Sequence, residues 1–148
     1  MAWKPHVTVA AVVEQGGKFL LVEEDTDEGI RINQPAGHWE FGESILAGAI
    51  RETLEETAHP FTPTHVLGIY HWSRPCGDIT YLRFAFTGSV GAPIPGHTLD
   101  QGILRAVWMT PDELKADASR HRSPLVLRCV HDYLAGKRYP LELLTHYD

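Results

Sequence analysis

The fold of this chain is decided by residues 37–59, which read GHWEFGESILAGAIRETLEETAH. A helix from about Ser44, a residue type that caps helices, places Glu52, Glu55 and Glu56 at i, i+3 and i+4 on one face. Three carboxylates crowded there repel one another, so we expect raised and coupled pKa values. A hard divalent cation removes that penalty, because Mg²⁺ and Mn²⁺ prefer carboxylate oxygens. The segment therefore predicts a metal site, and such an ion suits a negatively charged phosphate ligand.

The alternative is that these glutamates lie on a solvated helix face, where acidic residues are common. The spacing argues against this alternative, because it fixes six residue types as Gly-x5-Glu-x7-Arg-Glu-x-x-Glu-Glu, from Gly37 through Glu43 and Arg51 to Glu56. This spacing is that of the Nudix box, and the chain resembles the Nudix hydrolase family. The resemblance implies an α/β fold in which a mixed β-sheet is sandwiched between helices, in an α/β/α arrangement.

Three positions depart from the full family pattern. Thr53 and His59 stand where the pattern has bulky apolar residues, and Ala58 stands where it has glycine. These differences concern helix packing and the helix exit, where glycine usually permits a left-handed cap. They put the conformation of the following loop in question but leave the metal ligands intact.

The resemblance also implies a role for each residue of the box. Glu52, Glu55 and Glu56 match the metal-binding glutamates, and the Gly37 carbonyl matches a backbone ligand. Arg51 matches the arginine that orients the carboxylates, including Glu43, which suits a permanently charged rigid fork of donors. The general base is expected to be Glu52, with a carboxylate from a later loop as the alternative.

A further metal ligand is expected from Asp100, which lies eight residues before Trp108. The alternative for Asp100 is a turn residue, and the sequence favours neither interpretation. The long segment 91–102, with two prolines, is a candidate lid over the substrate.

Similarity to one bacterial subgroup of the family extends beyond the box. That subgroup includes phosphatases acting on nucleoside di- and triphosphates and on the thiamine precursor hydroxymethylpyrimidine diphosphate. The matching segments are residues 6–10, 17–24, 33–38, 122–126 and 139–142. The resemblance thus implies cleavage of a terminal phosphate or pyrophosphate linkage, with Mg²⁺ as the cofactor and Mn²⁺ as an alternative.

The box itself recognises metal and diphosphate, so substrate specificity must come from residues elsewhere. The candidates are aromatic and polar side chains that can stack on a heterocyclic ring or bind its edges. Tyr70, Trp72 and Phe84 are also aromatic, but the alternative that they fill the core is favoured. The predicted substrate-binding residues are Gln34, His38, Trp39 and Arg83.

Composition limits the remaining possibilities. With 148 residues, 43% of them hydrophobic, the chain suits a single domain over residues 1–148. Two cysteines are too few for a disulfide framework, and nine scattered histidines lack zinc spacing. The net charge of −6 argues against a nucleic acid polymer as partner. The absence of a signal peptide pattern or a long apolar run predicts a cytoplasmic protein that does not bind a membrane.

Strands are expected at residues 6–13, 18–23, 65–72, 80–89 and 103–109, with an exposed acidic loop at 25–29. Further helices are expected after Thr110 and after Ser123. The face of the box helix opposite the carboxylates, with Ile45, Leu46, Ala49 and Ile50, is expected to be buried.

Two other functions stay open. The first is a pyrophosphohydrolase of ADP-ribose or a sugar nucleotide, which differs in where the bond breaks. The second is a non-catalytic Nudix ligand-binding module, although such modules usually lose box carboxylates and this chain keeps them all. Family members are often dimers, so a homodimer is possible.

Overall fold

The structure is a computed structural model, and it describes residues 2–147. Met1 and Asp148, the two ends of the predicted domain, lie outside the described residues. The described chain has a mixed α/β fold, as the family resemblance implied. Its strands are β1 (His6–Val12), β2 (Glu14–Gln15), β3 (Lys18–Thr26), β4 (Gly29–Asn33), β5 (Ala36–His38), β6 (Phe61–Ser73), β7 (Thr80–Val90) and β8 (Ile103–Met109). Its α-helices are α1 (Ile45–Thr57), α2 (Pro111–Ala116) and α3 (Leu125–Leu134).

The strands divide into two sheets. The first has the order β5-β1-β7-β6 and is mixed, because β1 pairs with β7 in parallel and with β5 antiparallel. The second is antiparallel and joins β2, β3 and β4, with β8 on the other side of β3. The short strand β5 therefore lies at the edge of the mixed sheet.

The two faces of the mixed sheet pack against different helices. Successive side chains of a strand point to opposite faces. In β1, Val9 and Ala11 pack in one buried cluster with Ala49 of α1. Ala10 packs in the other cluster with Val126 of α3. The sheet thus has an α1 face and an α3 face, and both faces are used by the functional site.

Two local expectations are corrected. The segment 25–29 is exposed as expected except for the half-buried Thr26, but it is not a loop throughout, because β3 continues to Thr26 and β4 begins at Gly29, leaving a tight turn between them. The other correction concerns α1, where Ile50 is exposed while Ala49 is fully buried. Residues 49, 52, 53, 56 and 57 form the buried stripe of the helix, and Ile50 lies about 100° from Ala49 around the axis.

The remaining helices begin as the sequence predicts. Thr110 and Glu113 form a capping box at the start of α2. Gly136, just after α3, has a φ of +83°, which glycine adopts readily. Within residues 2–147, no helix has the length and apolar character needed to cross a membrane.

Candidate active site

The helix α1 carries the box carboxylates and is capped at both ends. The Ser44 hydroxyl accepts a hydrogen bond from the Ala47 N–H at 3.0 Å. At the other end Ala58 adopts the left-handed conformation with a φ of 65° and donates its N–H to the Leu54 carbonyl. Ala58 therefore takes the geometry for which glycine is usual, at a steric cost of about 1 kcal/mol.

The other two departures from the box pattern are also accommodated. The Thr53 hydroxyl donates to the Ala49 carbonyl at 2.7 Å, so its buried polar group is satisfied within the helix. His59 contacts the next loop through Nδ1, 2.7 Å from the Gly91 carbonyl, and its ring lies edge-on to Trp108. The helix exit and the following loop are thus held together without the usual residues.

Arg51 lies at the centre of a cluster of acidic groups. Its Nε and Nη2 donate to the Glu43 carboxylate at 3.0 and 2.8 Å, a bidentate pair. Its Nη1 donates to Glu52 at 2.7 Å and to Glu55 at 3.3 Å. Hydrogen bonding to Arg51 keeps the pKa of Glu43 below its usual value. The structure thus gives Arg51 the contacts that the resemblance implied.

Three carboxylates lie close enough to share one cation. Glu52, Glu55 and Asp100 each offer an oxygen, and these oxygens lie within 4.8 Å of one another. The backbone N–H of Asp100 donates to the Glu55 carbonyl at 3.0 Å, which ties Asp100 to α1. Asp100 is therefore brought to the box glutamates, as a ligand of the same site would be.

The segment 91–102 delivers Asp100 and does not cover the cavity described below. The Ile94 N–H donates to the Ala58 carbonyl at 2.9 Å, and Gly91 is bonded to the Pro60 carbonyl. Within the described chain, none of its residues lines that cavity. The expectation of a substrate lid thus finds no support, since the loop lies along the C-terminal end of α1.

Glu56 occupies a more enclosed position than the other glutamates. It is 8% exposed, and its Oε1 accepts the Ala36 N–H at 2.9 Å. Burial raises the pKa of Glu56 to about 9. The pKa values of Glu52 and Glu55 are also raised, first by burial and then by neighbouring charges, Asp100 among them. The direction matches the sequence prediction, but burial is the larger cause and mutual repulsion the smaller.

Gly37 is packed directly against this cluster. A Cβ added there would lie 2.2 Å from the Glu52 Cδ, far inside van der Waals contact. Glycine is therefore required for close approach rather than for an unusual φ. The approach brings the β5 backbone to the carboxylates, where the Gly37 carbonyl was predicted to bind metal.

A cavity of about 320 Å³ lies next to the carboxylates, at the other side of β5. Register places His38 opposite Thr8, and Thr8 opposite Arg83, in one row across three strands. All three line the cavity. Because Gly37 alternates with His38 along β5, the strand presents its backbone to the carboxylates and its His38 side chain to the cavity.

The predicted substrate-binding residues take different places. Arg83 and His38 line the cavity. The Gln34 side chain is buried and engaged at both ends, because it donates to the Val126 carbonyl and accepts from Arg83. Gln34 does not itself line the cavity and supports Arg83 from behind. A direct contact between Gln34 and the substrate stays a prediction. Trp39 does not line the cavity, and its indole N–H donates to the Glu43 carbonyl at 2.8 Å.

Trp72 was expected to fill the core but lines the cavity, and Tyr81 and Arg122 were not among the predicted residues. Tyr81 and Trp72 stack with centroids 5.9 Å apart and an interplanar angle of 12°, and both line the cavity. The two strands expected at 65–72 and 80–89 pair so that Trp72 lies opposite Tyr81. Arg122 also lines the cavity, but nothing in its local sequence indicates this. Tyr70 packs against the core instead and donates to Asp132.

A family model described as the NUDIX domain matches residues 4–129. The chain belongs to the Nudix hydrolase family. It is 39% identical over 146 residues to Phosphatase NudJ of Escherichia coli strain K12, covering 99% of this chain and 94% of that protein. The NudJ phosphatase of Shigella flexneri matches equally well.

A solved Nudix hydrolase from Nitrosomonas europaea is 54% identical, with a TM-score of 0.94 over 97% of this chain and 98% of that one. The MutT protein of Methanosarcina mazei Go1, at 19% identity and a TM-score of 0.69 over 93% of this chain and 100% of its own, shares the fold. The chain is therefore a Nudix hydrolase that acts on phosphoric anhydride bonds, similar to a bacterial phosphatase.

Proposed function

We propose that this Nudix hydrolase removes a terminal phosphate, or splits a pyrophosphate linkage, in a metal-dependent reaction. Its proposed substrates are nucleoside di- and triphosphates or hydroxymethylpyrimidine and thiamine diphosphates. The observation that carries the proposal is the position of the Glu52, Glu55 and Asp100 carboxylates on one side of β5, with a cavity on the other. A substrate that crosses β5 has its anhydride at the carboxylates and its organic group in the cavity.

The carboxylates suit a hard divalent cation. All the donors are oxygens, which Mg²⁺ and Mn²⁺ prefer. Burial, and to a lesser extent neighbouring carboxylates, raise the pKa values of Glu52 and Glu55, and a cation would favour their charged forms. We propose Mg²⁺ as the cofactor, held by Glu52, Glu55, Glu56 and Asp100 with the Gly37 carbonyl. A bound cation neutralises phosphate charge and makes water a better nucleophile at neutral pH.

The protein's own side chains orient the carboxylates and accept the proton of the attacking water. We propose that Glu52 accepts the proton of the attacking water, with Asp100 as the alternative base. Arg51 holds Glu52 through Nη1 at 2.7 Å and is itself fixed by the bidentate pair with Glu43. Because Arg51 stays protonated at all accessible pH values, the orientation of both carboxylates persists while a proton moves to Glu52.

The cavity supports a substrate with one heterocyclic group. Its volume of about 320 Å³ lies at the low end for ligand pockets. Trp72 and Tyr81 form a stacked aromatic wall, and base–aromatic stacking contributes about 1–3 kcal/mol per base. A small pocket of this kind favours one ring over the two large groups of ADP-ribose or a sugar nucleotide, which remain the second candidate class.

The remaining alternatives have less support. A non-catalytic Nudix binding module is disfavoured by the full set of box carboxylates. The proposed partner is a small phosphorylated molecule rather than a nucleic acid polymer, and the proposed compartment is the cytoplasm. A homodimer stays a prediction.

The test is phosphate release with Mg²⁺ across a panel of diphosphates, for wild type and Glu55→Gln side by side. The panel holds nucleoside di- and triphosphates, hydroxymethylpyrimidine diphosphate, thiamine diphosphate, ADP-ribose and a sugar nucleotide. Parallel wells contain a pyrophosphatase, so that release of pyrophosphate is separated from release of phosphate. Glu142→Gln, an exposed glutamate outside the site, is the matched control.

Direct phosphate release from terminal diphosphates, lost in Glu55→Gln and kept in the control, is the expected result. Activity confined to ADP-ribose or the sugar nucleotide overturns the proposed substrate class. Activity that survives Glu55→Gln overturns the metal site, and no activity on any compound favours the binding module.

A further inference from the structure

Arg83 is a buried cation that pairs with no carboxylate among residues 2–147. Its side chain lies on the α3 face of the mixed sheet, and the residue is 5% exposed. Its hydrogen-bond acceptors are neutral: Nη1 donates to Gln34 Oε1 at 2.8 Å and Nη2 donates to Asn33 Oδ1 at 3.0 Å. A weaker contact joins Nη1 to the Cys129 sulfur at 3.8 Å. Burying a charge is costly unless it is paired and hydrogen-bonded, and here the hydrogen-bond partners are all neutral.

Two of its N–H groups are left for a ligand. A guanidinium carries five N–H donors, and the contacts to Gln34, Asn33 and Cys129 use three of them. Within residues 2–147, Nε has no acceptor, and no buried side-chain nitrogen lacks a partner. The Nε of Arg83 therefore reaches solvent, and Arg83 lines the cavity. The Nε–H and one Nη2–H are therefore left as donors on two nitrogens of the same guanidinium.

The guanidinium is held in a fixed orientation before a ligand arrives. Gln34 is itself anchored, because its Nε2 donates to the Val126 carbonyl of α3 at 2.7 Å. Such prior ordering reduces the entropy lost on binding. Arg83 thus resembles a recognition group more than a flexible surface cation.

The surroundings of Arg83 favour an aromatic ring as the bound group. Glu24 and Glu28 line the cavity together with Arg74 and Arg122, and the Arg122 Nε lies 3.8 Å from the Glu24 Oε1. The two basic side chains offset the two acidic ones, so these charges do not select the ligand. The stacked pair of Trp72 and Tyr81 on the wall is suited to an aromatic ring, whose heteroatoms are neutral acceptors.

We propose that Arg83 determines specificity by donating two hydrogen bonds to a heterocycle that carries two adjacent acceptors. This inference rests on the proposed function, and it narrows the substrate class. Guanine presents O6 and N7, and cytosine presents O2 and N3, whereas adenine has an amino donor beside N7. Uracil and hydroxymethylpyrimidine also lack two adjacent acceptors. Guanine and cytosine nucleotides are therefore the preferred substrates.

The experiment compares kcat/KM for CDP, GDP, ADP, UDP and hydroxymethylpyrimidine diphosphate, which share the same reacting group. In the wild type, CDP and GDP exceed the other three by about 10-fold or more, the scale of one bidentate pair. Arg83→Lys keeps the charge and loses the paired donors. In this variant kcat/KM for CDP and GDP should become nearly equal to that for the other three substrates, mainly because KM for CDP and GDP rises. Arg128→Lys, on an exposed arginine of α3 outside the cavity, keeps the wild-type ratio.

A wild-type ratio near one overturns the inference without any variant, as does an unchanged ratio in folded Arg83→Lys. Preference for a nucleotide with an extra phosphate on the ribose also overturns it, because the cavity would then bind an anion. If no diphosphate releases phosphate, the proposed function fails separately. Calorimetric titration with CMP, GMP, AMP and UMP then tests Arg83 alone, and equal affinities overturn the inference.

Discussion

The two faces of the mixed sheet differ in how their functional groups are encoded. On the α1 face the box helix, residues 45–57, provides three of the four carboxylates of the proposed metal site, and Arg51 joins Glu52 and Glu55 to Glu43. On the α3 face the cavity is lined from segments far apart in sequence, such as Asn33, Tyr81 and Arg122. The carboxylates that match the family pattern thus lie mostly on one helix, whereas the cavity that we propose for the organic group depends on the register of several strands.

The largest expected effect on activity is at Glu56, on the α1 face. Glu56→Gln removes a proposed metal ligand while keeping an acceptor for the Ala36 N–H. We expect kcat to fall about 10³-fold or more, because the ligands act as a unit. The measurement is phosphate release with saturating Mg²⁺. Near wild-type activity would remove Glu56 from the site.

The same variant has the opposite effect on stability without metal. Burial raises the pKa of Glu56 to about 9, above the ordinary value of 4.5. The folded state therefore binds a proton that the unfolded state releases, so stability falls as pH rises between these values. In EDTA at pH 8, Glu56→Gln should raise Tm by several degrees, at about 2–4 °C per kcal/mol. Glu142→Gln serves as the exposed control, and an equal shift in both variants would contradict the assignment.

The boundary between the faces is tested at Gly37. Its added Cβ would collide with the Glu52 carboxylate, so Gly37→Ala must displace Glu52 or β5. We expect a loss of about 10²-fold in kcat, the effect of a misplacement of about 1 Å. Nucleotide binding measured without metal should change far less. A comparable loss of both properties would show that the two faces do not act separately.

The α3 face is tested at Trp72. Trp72→Ala removes half of the stacked wall, and we expect KM to rise about 10-fold with kcat little changed, since stacking contributes about 1–3 kcal/mol per base. Trp3→Ala, an exposed tryptophan outside the cavity, is the control. A fall in kcat with unchanged KM would place Trp72 in the chemistry instead.

The smallest expected effect is on stability, at the C-terminal end of α1, and it involves no residue that lines the cavity or carries a site carboxylate. Ala58→Gly relieves a φ of 65° and should stabilise the fold by about 1 kcal/mol at unchanged activity. Urea unfolding measures this difference. A destabilised variant would mean that the Ala58 methyl, which is 7% exposed, contributes more by packing than its backbone costs.

Much of the α1 face could be predicted because its information is local, in residue types at fixed helical spacing. For Asp100 the sequence favoured neither a metal ligand nor a turn residue. Its carboxylate lies near Glu52 and Glu55 and its carbonyl accepts the Ile103 N–H of a turn, so a role in metal binding stays a prediction. Of the residues that line the cavity, His38 and Arg83 were predicted to bind substrate, whereas Trp72 was assigned to the core. Gln34 was expected at the substrate but lies behind Arg83, because burial by tertiary packing is not visible in a short segment. Ile50 was misassigned for the same reason, since the helix turns a different stripe toward the sheet.

The segment between Ile94 and Asp100 is fixed at both ends. The Ile94 N–H donates a hydrogen bond to the Ala58 carbonyl, and the Asp100 N–H donates one to the Glu55 carbonyl. Changes in length confined to residues 95–99 would therefore be absorbed between two anchors, with Asp100 kept beside Glu55. Residues 95–99 are therefore a suitable site for inserting a peptide or a label near the carboxylates. Homologues can also differ in length there while the position of Asp100 is kept.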